Sequence, residues 1–218
     1  MERIAIINGI RTPFCKMGTE LNDLSAQQLG AIASRELLER TGVDPKAIDE
    51  VIIGCVGQPA DAANIARVIA LLAGFPKTTP AFTVHRNCAS GLESVTAAAL
   101  KIHGGEAKCI LAGGAESMSN IPFLFTKKFQ EIFSQFSRAK SVPEKLAALS
   151  QLRLSYLSPV VGLMLGLTDP VCGLNMGQTA EVLAKEFGIT RQAQDEFALM
   201  SHQRAVASKQ TLSQEIVP

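Results

Sequence analysis

Along the first 120 residues, short apolar runs alternate with stretches in which apolar side chains recur every three or four positions. The runs Ile4 to Ile7, Val51 to Val56, Ala81 to Val84 and Cys109 to Ala112 have the length and content of strands. Between them Leu29, Ile32, Ala33 and Leu37 form one helical stripe, and a second helix falls near Asn64 to Ala73. Leu92, Val95, Ala98, Ala99 and Ile102 mark a third. The punctuation agrees with the periodicity. Ser25 with Gln28 three residues later reads as a capping box, Gly42 suits a C-terminal cap, and Gly74 ends the second helix. Strands alternating with helices predict an α/β fold with helices covering the faces of a sheet.

After Pro122 the pattern changes. Five of the chain's ten phenylalanines fall between Phe123 and Phe136. Phe125, Phe129, Ile132, Phe133 and Phe136 share one helical face, with Lys127, Lys128 and Gln135 off it. A second short helix starting at Pro143 presents Leu146, Leu149 and Leu152. Across this stretch Lys127, Lys128, Arg138, Lys140, Lys145 and Arg153 face only Glu131 and Glu144. Two readings stand side by side: a helical hairpin packed on its own domain, or a basic amphipathic element that meets a membrane surface or a partner. Two further helices follow, Met176 to Phe187 and one capped by Thr190 that runs to about Lys209. Glu215 to Pro218 looks like the start of a strand.

Composition narrows the class. With 47% hydrophobic residues in 218, a sizeable core is within reach. A net charge of +1 predicts no bulk attraction to nucleic acid. Five cysteines, an odd number without a C-x-x-C pair, argue against a disulfide scaffold or a metal site and suit a reducing cytosol. Met1-Glu2-Arg3 leads into Ile4 without a signal or presequence pattern, and no apolar run has the length of a membrane span. The expected location is therefore cytoplasmic.

Candidate chemistry centres on Cys88, in Val84-His85-Arg86-Asn87-Cys88-Ala89-Ser90-Gly91. It sits where a strand passes into a helix, beside the unpaired N–H groups of the first helical turn, and those donors favour a thiolate. The small residues Ala89, Ser90 and Gly91 allow close approach to the sulfur. The competing reading is a buried cysteine packing as a small hydrophobe. Cys55 and Cys109 lie in strand-like runs and read as inert core; Cys15 and Cys172 lie in loops. His85 precedes Cys88 by three residues, but a structural or substrate-lining role fits it better than general base. His103 and His202 read as surface residues. Gly113-Gly114 reads as a tight turn after a strand rather than a phosphate loop.

The segment N-C-A-S-G-L-E-S from Asn87, with I-L-A-G-G-A-E-S-M-S from Ile110, resembles the thiolases. R-T-P-F at Arg11 to Phe14 and G-L-N-M-G-Q-T-A-E at Gly173 to Glu181 resemble them too, in the same order. The resemblance implies a layered αβαβα fold, of which this chain is an incomplete N-terminal half plus a helical loop domain. The expected domains are an α/β core at 1–121 and a mainly helical loop domain at 122–218 carrying an amphipathic insertion at 123–157. The second half of a thiolase, with its G-H-P histidine segment, N-E-A-F asparagine and C-x-G cysteine, is absent from these residues. This chain alone is therefore expected to be inactive.

Resemblance also implies the chemistry. Cys88 would be the acyl-accepting nucleophile and its backbone N–H an oxyanion donor. Asn175 and Met176 would contact coenzyme A, a substrate rather than a cofactor; the alternative for Met176 is core packing. No metal is implied. The Ser137 to Lys140 stretch, L-S-Q-L-R-L from Leu149 and S-H-Q-R-A from Ser201 resemble the thiolase subunit of fatty-acid β-oxidation complexes. The partners implied are coenzyme A thioesters, a hydratase/dehydrogenase alpha subunit, other copies in a homodimer or tetramer, and peripheral membrane through 123–157. The reaction expected is thiolytic cleavage of a 3-ketoacyl-CoA to acetyl-CoA and a shortened acyl-CoA, or its reversal by Claisen condensation. The alternatives are a ketoacyl-synthase type of condensing enzyme and a non-catalytic fragment or scaffold.

Overall fold

The computed structural model describes residues 3–217 and divides into two compact units, 1–120 with 191–218 and 121–190. In the first unit, α1 (Ala26–Thr41) starts at the expected capping box: Ser25 Oγ accepts from the Gln28 N–H, and Gln28 Oε1 accepts from the Ser25 N–H at 2.8 Å. It ends at Gly42, whose φ of 65° few other residues adopt comfortably and whose N–H reaches the Leu38 carbonyl at 2.9 Å. There follow β1 (Glu50–Gly54), α2 (Ile65–Leu72), β2 (Ala81–Val84), α3 (Ser90–His103) and β3 (Ile110–Gly114).

The three strands are parallel in the order β2-β1-β3, with Gly54 opposite both Val84 and Gly114. Val51 and Ile53, one strand repeat apart, join the cluster built with Ala31, Leu38, Ile65 and Ile69 from α1 and α2. Ile52 points to the opposite face, which α3 covers, and is fully buried there. The central strand is therefore apolar on both sides, as a parallel sheet covered on both faces requires. The face of α1 that is most buried is Gln27, Ala31, Ser34 and Leu38, one step round from the expected stripe at Leu29, Ile32, Ala33 and Leu37. Small residues explain the rotation: a side chain at Gly30 would overlap Ile69, so α1 closes on α2 along its least bulky face.

Three sequence expectations are corrected. Ile4 to Ile7 forms no strand; Ile6 is 81% exposed. The segment lines an apolar cavity of about 390 Å³ with Ile110 and Leu111 and joins no ladder of the described sheet. Gly113 and Gly114 are not a turn but the last two residues of β3, in register with Ile53 and Gly54. Residues 191–218, expected in the loop domain, group with the first unit instead. Backbone bonds explain that grouping: the Arg11 N–H donates to the Glu215 carbonyl and the Val217 N–H to the Arg11 carbonyl, both at 2.9 Å. Arg40 also donates to the Gln214 and Ile216 carbonyls at 2.7 and 3.2 Å. The strand expected at Glu215 to Pro218 is thus a single parallel bridge, Arg11 to Ile216; Pro218 lies outside the described residues.

Asp49, just before β1, fastens the entrance of β3. Its Oδ2 accepts from the N–H groups of Lys108 at 2.6 Å and Cys109 at 3.0 Å. These bonds, the Lys108 one foremost, hold the carboxyl below its ordinary value of 3.8. A depressed folded value means a contribution fully present above the unfolded value and lost as pH falls through the folded one. Asp49→Asn is expected to lower stability at neutral pH and to flatten the acid side of the profile. Urea midpoints at about pH 6 and about pH 3 check this, the variant changing less between them than the parent.

The second unit contains β4 (Phe123–Leu124), α4 (Lys127–Arg138), α5 (Val142–Leu149), β5 (Val160–Val161), α6 (Gly162–Leu167) and α7 (Met176–Glu186). The expected helical pair is α4 and α5, with a capping box at Ser141 and Glu144 and Pro143 in the first turn of α5. On α4 only Ile132 is buried; Phe125 and Phe133 are exposed, and the rings Phe125, Phe129 and Phe133 stack in sequence. The chain closes, within the first unit, with α8 (Arg191–Ala207) and α9 (Lys209–Leu212).

Candidate active site

Cys88 is exposed, on the turn between β2 and α3, and lines a cavity of about 600 Å³. Two close approaches set that turn on the sheet. A Cβ on Gly54 would overlap the Ser90 carbonyl, and one on Gly114 would come within 3.1 Å of the Gly91 Cα. Glycines at the ends of β1 and β3 therefore let the first turn of α3 rest directly on the strand backbones. The turn itself is held by hydrogen bonds from Ala89 N–H to the Arg86 carbonyl and from Ser90 N–H to the Asn87 carbonyl, both 3.0 Å. Asn87 has φ of 45°, the left-handed region, which asparagine tolerates better than most residues. Arg86 reaches over the turn to Glu93 at 2.8 Å.

The other walls are built by one segment after β3. Glu116 accepts from the N–H groups of Val56 at 2.9 Å and Gly57 at 3.1 Å, fixing the turn that leaves β1. Ser117 donates to the Leu24 carbonyl at 3.1 Å. Ser119 Oγ accepts from the Gly18 N–H at 2.9 Å, which anchors the Arg11 to Gly18 loop. On that loop the Arg11 guanidinium lies 4.8 Å from the centre of the Phe14 ring. Glu116, Ser117 and Ser119 thus tie the turn after β1 and the segment that precedes α1 around the cavity.

The five cysteines sort by environment. Cys55 is buried with the Glu116 carboxylate 3.9 Å from its sulfur. Burial first, and the neighbouring negative charge second, push its thiol up to about 12, so it is inert as a nucleophile. Burial and Asp49 likewise raise the Cys109 thiol. Cys15 is exposed and lines the same cavity as Cys88, a placement the sequence reading did not find. His85 is exposed, with Nδ1 3.5 Å from the Asn87 N–H; His103 and His202 are exposed as well. Among the described residues, no cluster of three or more His, Cys, Asp or Glu side chains could hold a metal ion.

In the second unit, Asn175 caps α7. Its Oδ1 accepts from the Gln178 N–H and Gln178 Oε1 accepts from the Asn175 N–H, both at 2.9 Å. The Asn175 oxygen is therefore committed to the helix, leaving its Nδ2 as a donor. Met176 is 55% exposed and packs in no core.

Residues 4–218 match the family model of the thiolase N-terminal domain. The chain belongs to the thiolase family. It is 40% identical to the 3-ketoacyl-CoA thiolase of Yersinia enterocolitica, over 96% of this chain and 47% of that protein. It is 36% identical to the mitochondrial trifunctional enzyme subunit beta of Bos taurus, over all of this chain and 46% of that one. Among solved structures, the Bacillus anthracis acetyl-CoA acetyltransferase superposes with a TM-score of 0.82 at 32% identity, covering 98% of this chain and 50% of that one. The chain spans about half the length of the relatives it matches. The α/β fold read from the sequence is that of a thiolase N-terminal half.

Proposed function

We propose that the chain is the nucleophile-bearing half of a 3-ketoacyl-CoA thiolase and that Cys88 accepts the acyl group. The observation that carries the reading is an exposed cysteine on a turn seated against two strand ends, at a cavity, within a thiolase N-terminal domain. In the degradative direction the Cys88 thiolate attacks the 3-keto carbonyl and forms a tetrahedral oxyanion. The C2–C3 bond then breaks; its electron pair leaves with acetyl-CoA as an enolate, which is protonated, and the acyl group stays on sulfur. The thiol of free coenzyme A attacks that thioester, releases the shortened acyl-CoA and regenerates Cys88. Each oxyanion needs preorganised donors, and the Cys88 N–H would be one of them. The remaining donors, the activating histidine and the enolate-protonating cysteine belong to the second thiolase half.

Coenzyme A is the substrate this reading requires. Met176, exposed at the start of α7, would lie against the apolar part of its pantetheine arm, with Asn175 Nδ2 as a polar contact. A thiolysis assay on acetoacetyl-CoA, with the chain joined to a thiolase C-terminal half, tests the assignment. Consumption that requires free coenzyme A supports it; decarboxylation of malonyl-CoA in place of thiolysis would reassign the chain to the ketoacyl-synthase type.

The second unit adds a peripheral role. Phe125 and Phe133 are exposed beside Lys127 and Lys128, and Leu146 and Leu149 are exposed on α5. Among the described residues no helix is long and apolar enough to cross a membrane. The exposed aromatic and basic side chains would suit an element that rests on an anionic membrane from the cytoplasmic side, or docks a hydratase/dehydrogenase alpha subunit, in an oligomeric enzyme. Phe129→Glu with Phe133→Glu is expected to reduce co-sedimentation with anionic phospholipid vesicles by about tenfold while leaving thiolysis unchanged. Equal sedimentation of variant and parent would assign the face to packing within the protein.

A further inference from the structure

The hydroxyl of Ser90 does something a serine at a helix start ordinarily does not. Serine usually serves as the N-cap and accepts from the second or third helical N–H. In α3 the N-cap is Ala89, no side chain caps the helix, and Ser90 is the first helical residue. Its Oγ turns backward: it accepts from the Arg86 N–H at 2.9 Å and donates to the Asn87 carbonyl at 2.7 Å. Donor and acceptor functions are both spent on the two residues preceding Cys88, and the side chain is only 3% exposed while it makes these bonds.

The turn has a reason to need such a tie. Asn87 holds a left-handed conformation that is unfavourable for a residue with a side chain. The segment is otherwise exposed, from His85 to Ala89, so packing does not hold it. On the other side, the Ser90 backbone is pinned against Gly54, which makes it a rigid base. The hydroxyl transmits that rigidity to Arg86 and Asn87. None of the backbone bonds of α3 uses it, so the helix does not depend on it.

We propose that Ser90 is a positioning residue for Cys88, its buried hydroxyl holding the Arg86-Asn87-Cys88 turn so that sulfur and N–H both face the cavity. This rests on the reading of Cys88 as the acyl acceptor. Only a residue with a short hydroxyl both donates and accepts there, so Ser90→Ala loses the tie and Ser90→Thr keeps it. A misplacement of about 1 Å at a reacting group is enough to cost up to about 10²-fold in rate.

The test is alkylation of the 218-residue chain by iodoacetamide at one fixed pH, read peptide by peptide. Cys172, exposed on the other unit, is the internal reference. In Ser90→Ala, with helical circular dichroism and the thermal transition retained, the Cys88 rate relative to Cys172 is expected to fall about tenfold or more. Ser90→Thr is expected to restore the rate to within about threefold of the parent. A folded Ser90→Ala that alkylates like the parent overturns the proposal. If Ser90→Ala does not fold, the folded Ser90→Thr decides: parent-like alkylation supports the tie, and an about tenfold loss overturns it. A parent chain in which Cys88 is not alkylated at all, while Cys172 is, would instead count against Cys88 as an accessible nucleophile, a different failure.

Discussion

Replacing Cys88 with Ser is expected to reduce thiolysis by at least about 10³-fold, in a protein that carries both thiolase halves, while leaving fold and melting temperature unchanged. The size follows from the role. A serine hydroxyl at the same turn has the geometry but not the acidity or nucleophilicity of a thiol. An oxygen ester also accepts a second thiol less readily than a thioester does. The neutrality for folding follows from exposure: Cys88 touches no core, so the exchange of sulfur for oxygen removes little packing. Steady-state consumption of acetoacetyl-CoA in the presence of coenzyme A measures the effect. Residual activity within about tenfold of the parent would place the nucleophile elsewhere, with Cys15 the other exposed thiol on the same cavity.

Gly54→Ala is expected to disturb both stability and chemistry. The added Cβ would overlap the Ser90 carbonyl and stand 2.8 Å from the Gly91 nitrogen, both backbone atoms that cannot rotate away. Overpacking at such a contact costs about 1–3 kcal/mol. The relief available is to lift the first turn of α3 off β1, which carries the Cys88 turn with it and lowers acyl transfer by about 10²-fold. Gly9→Ala is the control, because a Cβ there meets nothing within 4 Å. Urea denaturation gives the first effect and thiolysis the second. A Gly54→Ala protein as stable and active as the control would mean that α3 does not rest on the strand ends.

These two residues also mark where sequence reading succeeds and where it runs out. Cys88 was legible because local signals agree: an apolar run, a small-residue turn and a helical stripe placed it at a strand-to-helix junction. Ser25 with Gln28, and Ser141 ahead of Glu144, likewise act within four residues, and periodicity plus capping chemistry suffices to find them. Gly54 is different, since its need for glycine comes from Ser90, brought against it only when β1 and α3 pack. Glu116 is the same kind of case: its partners Val56 and Gly57 lie 60 and 59 residues away. An acid directly after Gly-Gly-Ala, followed by alternate serines, was the available signal, but it names no partner. The misplaced strand at Ile4 to Ile7 shows the converse limit. Apolar content predicts a strand, yet a strand exists only where its backbone finds a neighbour, and those residues find none within the described sheet.

The most direct test is to trap the acyl group. The chain joined to a thiolase C-terminal half is mixed with acetoacetyl-CoA without free coenzyme A, quenched in acid, digested and read by mass spectrometry. The account predicts an acetyl group on the peptide containing Cys88, removed when coenzyme A is added before the quench. An acetyl group on any other residue, or none on a protein that still performs thiolysis, would contradict it.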